Sequence, residues 1–406
     1  MKKRTPRQIS TLYLGLEGMS QLFGGSFHGG IYMDFLMHNL HDYFLANAVN
    51  VAFFVTLFVA EIPTGAYADT FGRKASYVLA SFLWSLGLII YGVSHTFWGF
   101  VLAECILAIG STCVSGAFEA WLVDSLKHTG MSTVEADTYK TQLFARENTV
   151  NTVASIVGSV VGAWVYTWSP AGCWITSGIL MLGHAGLSKY LLSEDYFVKK
   201  DRTLIAHSHE VQQKIKTSLL FVRKNTLIKT IAIFATIQTG ATMSANMLWQ
   251  PFFKEHVPVF WLGTLLGMWM VCGSIGAELS PRLLTTGITP IRLLRISLSL
   301  TGVLIVLSAI CPFPLSLIMF TLSQVPRGVL GPIFRTTIHS AITDSETRAT
   351  TVSCATMARH IGGAIGLLLS GISAKYAGIP ATWIWSGMLL IIGSWWLSRK
   401  YEREQK

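Results

Sequence analysis

Charged residues are scarce in this sequence. Asp, Glu, Lys and Arg make up 13% of the 406 residues, whereas hydrophobic residues make up 51%. Soluble domains carry about a quarter charged residues, so this composition excludes an ordinary soluble protein and indicates one that crosses a membrane repeatedly. The net charge of +10 comes from basic residues at both ends and in alternate loops. That placement is typical of membrane topology, and we expect no nucleic-acid partner.

The sequence also lacks the motifs of catalysis and of metal or nucleotide binding. It contains no His-Glu-x-x-His, no Gly-x-Ser-x-Gly and no phosphate-binding glycine loop, so we expect no enzyme, no cofactor and no coupling to ATP. The six cysteines form no Cys-x-x-Cys pair and lie in or beside apolar segments. We interpret them as packing residues and expect neither a metal site nor a disulfide framework.

Long apolar segments follow one another along the chain and predict an all-α integral membrane protein. A span needs about 20 apolar residues, and on that basis we count about twelve spans. The predicted spans are 11–37, 44–68, 76–96, 98–126, 142–168, 171–193, 229–250, 258–280, 291–311, 313–336, 349–374 and 378–397. The bias of basic residues toward one face puts both termini in the cytoplasm, as expected for a multi-pass protein of the cytoplasmic (inner) membrane.

A polar stretch at residues 194–228 divides the chain into residues 1–193 and residues 229–406. Val211, Ile215 and Leu219 recur there at helical spacing, which predicts either an amphipathic helix on the inner membrane surface or a plain tether. The two flanking parts look related. Glu61 ends the second span and Glu278 ends the eighth, 217 residues further along the chain.

The loop between the second and third spans carries the most specific pattern. Its residues Gly65, Asp69, Gly72, Arg73 and Lys74 follow the order Gly-x-x-x-Asp-x-x-Gly-Arg-Lys. Gly65 would let helices approach closely, and Gly72 would supply a positive φ for a short reversal. Asp69 offers an acceptor to N–H groups at a helix start. Arg73 and Lys74 would hold the loop in the cytoplasm.

This pattern resembles the loop between helices 2 and 3 of major facilitator superfamily transporters. The resemblance implies two pseudo-symmetric six-helix halves with the transport site at their interface. It also implies that the loop controls the conformational cycle, with Arg73 reaching Asp124 and Asp69 meeting the chain near Arg348 and Thr350. The second copy of the loop has lost the Asp and the Gly-Arg pair.

Ionisable residues inside the first six spans are candidates for proton coupling, because buried charge is costly in a bilayer. By depth, Glu17, Glu119 and Arg146 share the inner half of the membrane, and they form either a proton site or a structural lock. Asp34 and Glu104 are the outer counterpart, although Asp34 could instead be solvated at the surface.

The last six spans contain a cationic set formed by Arg327, Arg359 and His360, with Asn246 as a further candidate for substrate binding. Their positive charge requires an anion, either a carboxylate of the protein or the substrate itself. Both alternatives stay open at this point.

Our leading hypothesis is a proton-coupled exporter, an antiporter for a small amphipathic or anionic molecule such as a drug or secreted metabolite, and we expect a monomer. The alternatives are uptake of an organic anion and, outside transport, a membrane sensor, for which no loop is long enough to hold an output domain. Two family features are missing. Ile106 stands where many members have an Arg, and Gly158 to Gly162 lack the proline of drug exporters.

Overall fold

The structure is a computed structural model that describes residues 4–194, 226–341 and 345–404. Residues 195–225, most of the predicted linker, lie outside the described residues, so the amphipathic helix proposed there stays a prediction. Every regular element in the described part is helical, and the predicted all-α membrane fold is confirmed.

In the first part of the chain, the first span is interrupted. It consists of α1 (Pro6–Ser20), a π-helical turn (Gln21–Ser26) and α2 (Tyr32–Leu40). The helices that follow are α3 (Tyr43–Phe71), α4 (Arg73–Val93), α5 (Phe97–Val114), α6 (Ala117–His128), α7 (Thr133–Trp168) and α8 (Pro170–Leu191).

Among its described residues, the second part of the chain contains five long helices. These are α9 (Thr226–Lys254), α10 (Val259–Thr285), α11 (Pro290–Ile310), α12 (Leu315–Ala341) and α13 (Ser345–Glu404). The last is broken at Gly378, whose φ of +83° is non-helical. The predicted spans 349–374 and 378–397 lie on either side of this break.

Polar residues fix several helix starts. Thr5 and Ser132 form capping boxes with Gln8 and Glu135, in which side chains and backbone N–H groups bond reciprocally. Ser169 caps α8 through Gly172 N–H. Within the described residues, eight helices are long and apolar enough to cross a membrane by length and composition. One of these is α13, which contains two predicted spans. Predicted span 11–37 is divided among shorter elements, and predicted spans 171–193 and 229–250 coincide largely with α8 and α9.

Contacts divide the chain into two compact units. The first comprises residues 1–35, 56–210 and 259–267, and the second comprises residues 36–55, 211–258 and 268–406. These boundaries differ from the predicted halves because residues 36–55 group with the later helices, and residues 259–267 group with the earlier ones. In the second unit, for example, a Cβ on Gly371 would lie 3.0 Å from Phe44 Cα. The division into six-helix halves stays a prediction.

In the first unit, α4 packs against α5 and α8. Its core includes stacked aromatic rings, with the Tyr77 and Phe118 centroids 3.8 Å apart and those of Tyr13 and Phe118 4.7 Å apart. On another side α7 lies directly against the first span, and a Cβ on Gly162 would come within 1.5 Å of the Phe27 carbonyl oxygen. Only glycine allows such an approach.

In the second unit, α13 packs against α9 and α11, and α11 packs against α12. Small residues bring these helices together as well. A Cβ on Gly366 would lie 2.2 Å from the carbonyl oxygen of Gly240. Ser244 Oγ and Ser386 Oγ are 2.8 Å apart between α9 and α13. Helices in a bilayer associate through such packing and hydrogen bonds, because lipid tails are as apolar as the side chains.

Candidate functional site

The loop between α3 and α4 has the geometry that the sequence predicts at Gly72. That residue has φ +97° and stands between Phe71, which ends α3, and Arg73, which begins α4. Arg73 Nε lies 3.9 Å from Asp124 Oδ2, and Arg73 Nη2 lies 3.7 Å from Asp69 Oδ1. These pairs are partly exposed, so each stabilises the loop by less than about 1 kcal/mol.

Two other expectations for this loop concern Gly65 and Asp69. No described atom lies within 4 Å of a Cβ built on Gly65, so the close helix approach expected there is not seen. The side chains of Arg348 and Thr350, the expected neighbours of Asp69, lie outside the described residues. The role of Asp69 therefore stays a prediction.

Glu194 is a residue of this site that sequence reasoning missed. Its Oε1 accepts the N–H of Arg73 at 2.9 Å, and its Oε2 accepts the N–H of Lys74 at 3.0 Å. A carboxylate at this position satisfies free N–H groups and the positive end of α4. We had expected Asp69 to serve a helix start in this way. No local pattern identifies Glu194, because it lies more than a hundred residues further along the chain.

An inner acidic cluster brings together α1, α6 and α7 in the first unit. Tyr13 Oη donates to Glu147 Oε2 at 3.0 Å. Glu17 lies within electrostatic reach of both Glu147 and Glu119. Glu17 and Glu147 are half-buried, while Glu119 is exposed. Glu147 was in a predicted span but not among the candidates, and Tyr13 adds a neutral hydrogen-bond donor.

Arg146 does not complete this cluster. Its side chain is exposed, and no ion pair within 4.0 Å is recorded for it in the part of the chain that the structure describes. The alternative of a structural lock, in which Arg146 neutralises Glu17 or Glu119, thus finds no direct contact to support it.

An outer polar network surrounds Glu104, which is 4% exposed. Its Oε1 accepts from Tyr32 Oη at 2.6 Å and from Tyr91 Oη at 2.9 Å. Trp174 stacks on Tyr91 at 4.2 Å and on His28 at 4.5 Å. Glu104 is therefore held by two neutral donors within a wall of aromatic rings.

Asp34 has its own donor and is not a solvated surface group. It is 4% exposed, and Tyr166 Oη donates to its Oδ2 at 2.9 Å. Asp34 and Glu104 are both buried in the first unit, each bonded to tyrosine. The sequence could not predict that these acids bond to tyrosines, because each such tyrosine lies on a different helix from its acid.

In the second unit, Arg327 is held by neutral amides. Its Nη1 donates to Gln324 Oε1 at 3.1 Å, and its Nη2 donates to Asn246 Oδ1. Asn246 and Arg327, both candidates for substrate binding, are therefore in direct contact. Among the described residues, Arg327 makes no ion pair with a carboxylate, and its hydrogen-bond partners there are neutral amide oxygens.

The neighbouring residues Arg359 and His360 on α13 have different surroundings. Arg359 is exposed, and its guanidinium carbon lies 6.0 Å from the Phe334 ring centroid. His360 is half-buried, and its ring lies 5.9 Å from that of Phe54. Both rings are apolar walls, which suits a ligand with aromatic or aliphatic parts.

Asp42 and Lys375 form a short ion pair in the second unit. Lys375 Nζ lies 2.6 Å from Asp42 Oδ2, and Asp42 Oδ1 accepts the N–H groups of Phe44 at 2.7 Å and Leu45 at 3.2 Å. Burial raises the pKa of the Asp42 carboxyl, but the Lys375 hydrogen bond and the two N–H groups outweigh it and hold that pKa below its ordinary value.

Comparison with known proteins points to one family. The model of the Major Facilitator Superfamily matches residues 18–346. The sequence is 24% identical over 239 residues to YxaM, an uncharacterized MFS-type transporter of Bacillus subtilis (strain 168). That match covers 55% of this chain and 54% of YxaM, so it spans about half the length of this relative.

Solved structures agree in fold over nearly the whole chain. The nucleoside transporter NupG superimposes with a TM-score of 0.78 at 12% identity, covering 97% of this chain and 99% of that one. The POT family transporter PepTSo superimposes with a TM-score of 0.74 at 14% identity, covering 99% of each. At these identities the likeness concerns the fold alone.

Proposed function

Because the chain belongs to the Major Facilitator Superfamily, and is therefore a membrane transporter of small molecules and not an enzyme, we propose that it is a proton-coupled exporter. The proposed cargo is a small anionic or amphipathic molecule. The proposed setting is the cytoplasmic membrane, with both termini in the cytoplasm and six-helix halves at residues 1–193 and 229–406. Cysteine-labelling of the two termini from either side of the membrane tests that orientation.

The inner acidic cluster is the observation that supports proton coupling. Glu17 on α1, Glu119 on α6 and Glu147 on α7 act on one another through their negative charges. Like charges that lie close together repel one another, so such a group can take up and release a proton as its surroundings change. Tyr13 donates a hydrogen bond to Glu147, and Glu17 and Glu119 are the carboxylates that we propose exchange the proton.

Proton exchange can be measured once a cargo is known. Screening amphipathic acids by their effect on the melting temperature of the purified protein supplies a cargo. Proton uptake or release on its addition is then measured in proteoliposomes with a pH-sensitive dye. We expect Glu17→Gln or Glu119→Gln to abolish the proton signal. Glu61→Gln is a matched control, since Glu61 is also a half-buried acid but lies outside the cluster.

If Glu17→Gln and Glu119→Gln both keep full proton exchange, the inner cluster is not the coupling site. Asp34 and Glu104 are then the next carboxylates to replace, since both are buried and bonded to tyrosine hydroxyls.

The surroundings of Arg327 support an anionic group on the cargo. A guanidinium bonded only to amide oxygens keeps its full positive charge, and burying such a charge without an anion is costly. A cargo carboxylate or phosphate would accept the remaining N–H groups in a fork geometry. Arg359 and the apolar rings beside it would contact the rest of the molecule.

Replacing Arg by Lys keeps the charge and removes the fork, so Arg327→Lys and Arg359→Lys test this proposal. If cargo is the partner, affinity for an anionic cargo falls at least about tenfold, as expected for the loss of about 1.4 kcal/mol. If Arg327 only holds Asn246 and Gln324 in place, the melting temperature falls while affinity is kept. Arg282→Lys, at an exposed position on α10, controls for the substitution itself.

Uptake of an organic anion is a second candidate, favoured by the same amide-only surroundings of Arg327. Transport direction separates the two candidates. With an outward-directed cargo gradient and an opposing pH gradient in proteoliposomes, exchange with protons indicates export, whereas movement of cargo and protons in the same direction indicates uptake.

A further inference from the structure

A groove of about 1080 Å³ opens on the first unit beside the loop between α3 and α4. It is lined by the end of α3, the first turns of α4 and the end of α8. Its apolar part includes Phe71 and Phe82, which are 45% and 48% exposed, and Leu182, which is 47% exposed. Large apolar side chains that are exposed on the surface of a membrane protein can contact lipid chains.

The polar end of the groove is basic. Lys74, half-buried at the start of α4, and Lys189, exposed at the end of α8, both line it. Neither ammonium makes an ion pair within 4.0 Å in the part of the chain that the structure describes. Tyr67 and Tyr190 stand beside them, and aromatic hydroxyls are typical of the membrane interface.

One carboxylate, Glu194, also lines the groove, but it does not neutralise the lysines. Its two oxygens accept the backbone N–H groups of Arg73 and Lys74 at 2.9 and 3.0 Å. The charge of Glu194 therefore compensates the positive end of α4. Among the residues that the structure describes, the rim therefore has two ammonium groups without an ion-pair partner above an apolar floor.

We propose that this groove is a binding site for an anionic glycerophospholipid, whose phosphate lies between Lys74 and Lys189 and whose acyl chain lies over Phe71 and Phe82. The charge of the rim favours a lipid with net negative charge over a zwitterionic one. The apolar floor favours a lipid over a free phosphate. A lipid bound there touches the loop that connects α3 to α4.

The charge part of the proposal is tested with purified protein and defined lipids by native mass spectrometry. Each basic residue near an anionic surface contributes about fivefold in affinity, so Lys74→Gln with Lys189→Gln weakens phosphatidylglycerol binding by about 25-fold. Phosphatidylcholine binding is expected to be unchanged. Lys127→Gln removes one exposed lysine outside the groove and leaves phosphatidylglycerol binding as in the parent protein.

The apolar part is tested with a pair of glycines on α8. Gly186 lines the groove, and no described atom lies within 4 Å of a Cβ built on it, so Gly186→Leu places its side chain in the groove. We expect at least about tenfold weaker phosphatidylglycerol binding. Gly183 is equally open but does not line the groove, so Gly183→Leu is the matched control and keeps binding.

Three results would overturn the proposal. The first is equal phosphatidylglycerol binding by the parent protein and the double lysine variant. The second is equal binding by Gly186→Leu and Gly183→Leu. The third is stabilisation by inorganic phosphate as large as that by phosphatidylglycerol, which would assign the lysines to a free anion. Melting temperatures of all variants, compared without lipid, identify any variant that has lost the fold. If one set of variants fails in this way, the lysine variants or the glycine variants alone still test the proposal.

Discussion

Replacing Gly162 by Ala tests the closest helix contact in the first unit. A Cβ on this residue would lie 1.5 Å from the Phe27 carbonyl oxygen and 2.5 Å from the Phe27 carbonyl carbon. Real Cβ atoms essentially never come within 3.0 Å of another heavy atom, so α7 and the first span must separate by about 1.5 Å. The atoms met belong to backbone, which cannot turn away as a flexible side chain can.

The size of the effect follows from this geometry. Overpacking a core costs about 1–3 kcal/mol where side chains can adjust, and we expect at least about 3 kcal/mol here. Alanine in place of glycine also favours a helix by about 0.5–1 kcal/mol, which offsets part of the cost. Gly158, one turn earlier, would place its Cβ 2.7 Å from the Leu22 carbonyl oxygen, so Gly158→Ala should have a smaller effect of the same sign.

Melting temperatures in detergent measure this series. Gly183→Ala is the control, because nothing described lies within 4 Å of its Cβ, and it should be neutral or slightly stabilising. The expected order of stability is Gly183→Ala, then Gly158→Ala, then Gly162→Ala. If the Gly162→Ala protein has the same melting temperature as the Gly183→Ala control, the close packing of α7 against the first span is refuted.

Two further predictions concern acidic residues. Asp69→Asn should reduce transport while leaving the melting temperature unchanged, and normal transport by a well-expressed variant would remove Asp69 from the conformational cycle. Asp42→Ala should cost about 1–2 kcal/mol, from the lost helix cap and the Lys375 ion pair, whereas Asp42→Asn, which can still cap, should cost under about 1 kcal/mol. The pKa of Asp42 is lower in the folded protein than in the unfolded chain. The ion pair therefore stabilises the fold at pH values above the unfolded pKa of about 3.9, and this stabilisation is lost as the pH falls through the folded pKa. The melting-temperature gap between parent and Asp42→Asn should therefore close in acid, and a gap that widens would contradict the assignment.

The helices and their ends were largely predictable, because apolar length and turn chemistry are local properties. The positive φ of Gly72 and the break near residue 378 follow from residues that stand next to the feature they cause. The partners of buried charges were not predictable. Glu194 meets the start of α4 from the far end of α8, and Tyr91 meets Glu104 from another helix. Such contacts leave no periodic signal, since they depend on which faces of distant helices meet.

The π-helical turn was also beyond sequence reasoning, for a different reason. Gln21 to Ser26 lie in a continuous apolar segment whose composition does not distinguish a π-turn from an α-turn. Within the turn, Gln21 Nε2 donates to Ser26 Oγ at 2.8 Å and to Ser155 Oγ at 2.9 Å on α7. The polar side chains that support the wider turn are therefore partly supplied by another helix.

This turn has a consequence for how the chain can change over generations. A π-turn accommodates one residue more than the α-helix around it, and one residue corresponds to about 100° of rotation. Removing one residue from 21–26 would restore a regular helix with better backbone bonds. It would also rotate everything beyond it, so that Tyr32 and Asp34 would point away from Glu104 and Tyr166.

A point substitution in this segment changes local contacts, whereas a single-codon deletion would change the direction of every side chain from residue 27 to residue 40 together. Lineages of this chain should accordingly keep the number of residues in 21–26. The number of residues in this turn, more than their identity, therefore keeps Asp34 and Glu104 bonded to their tyrosines.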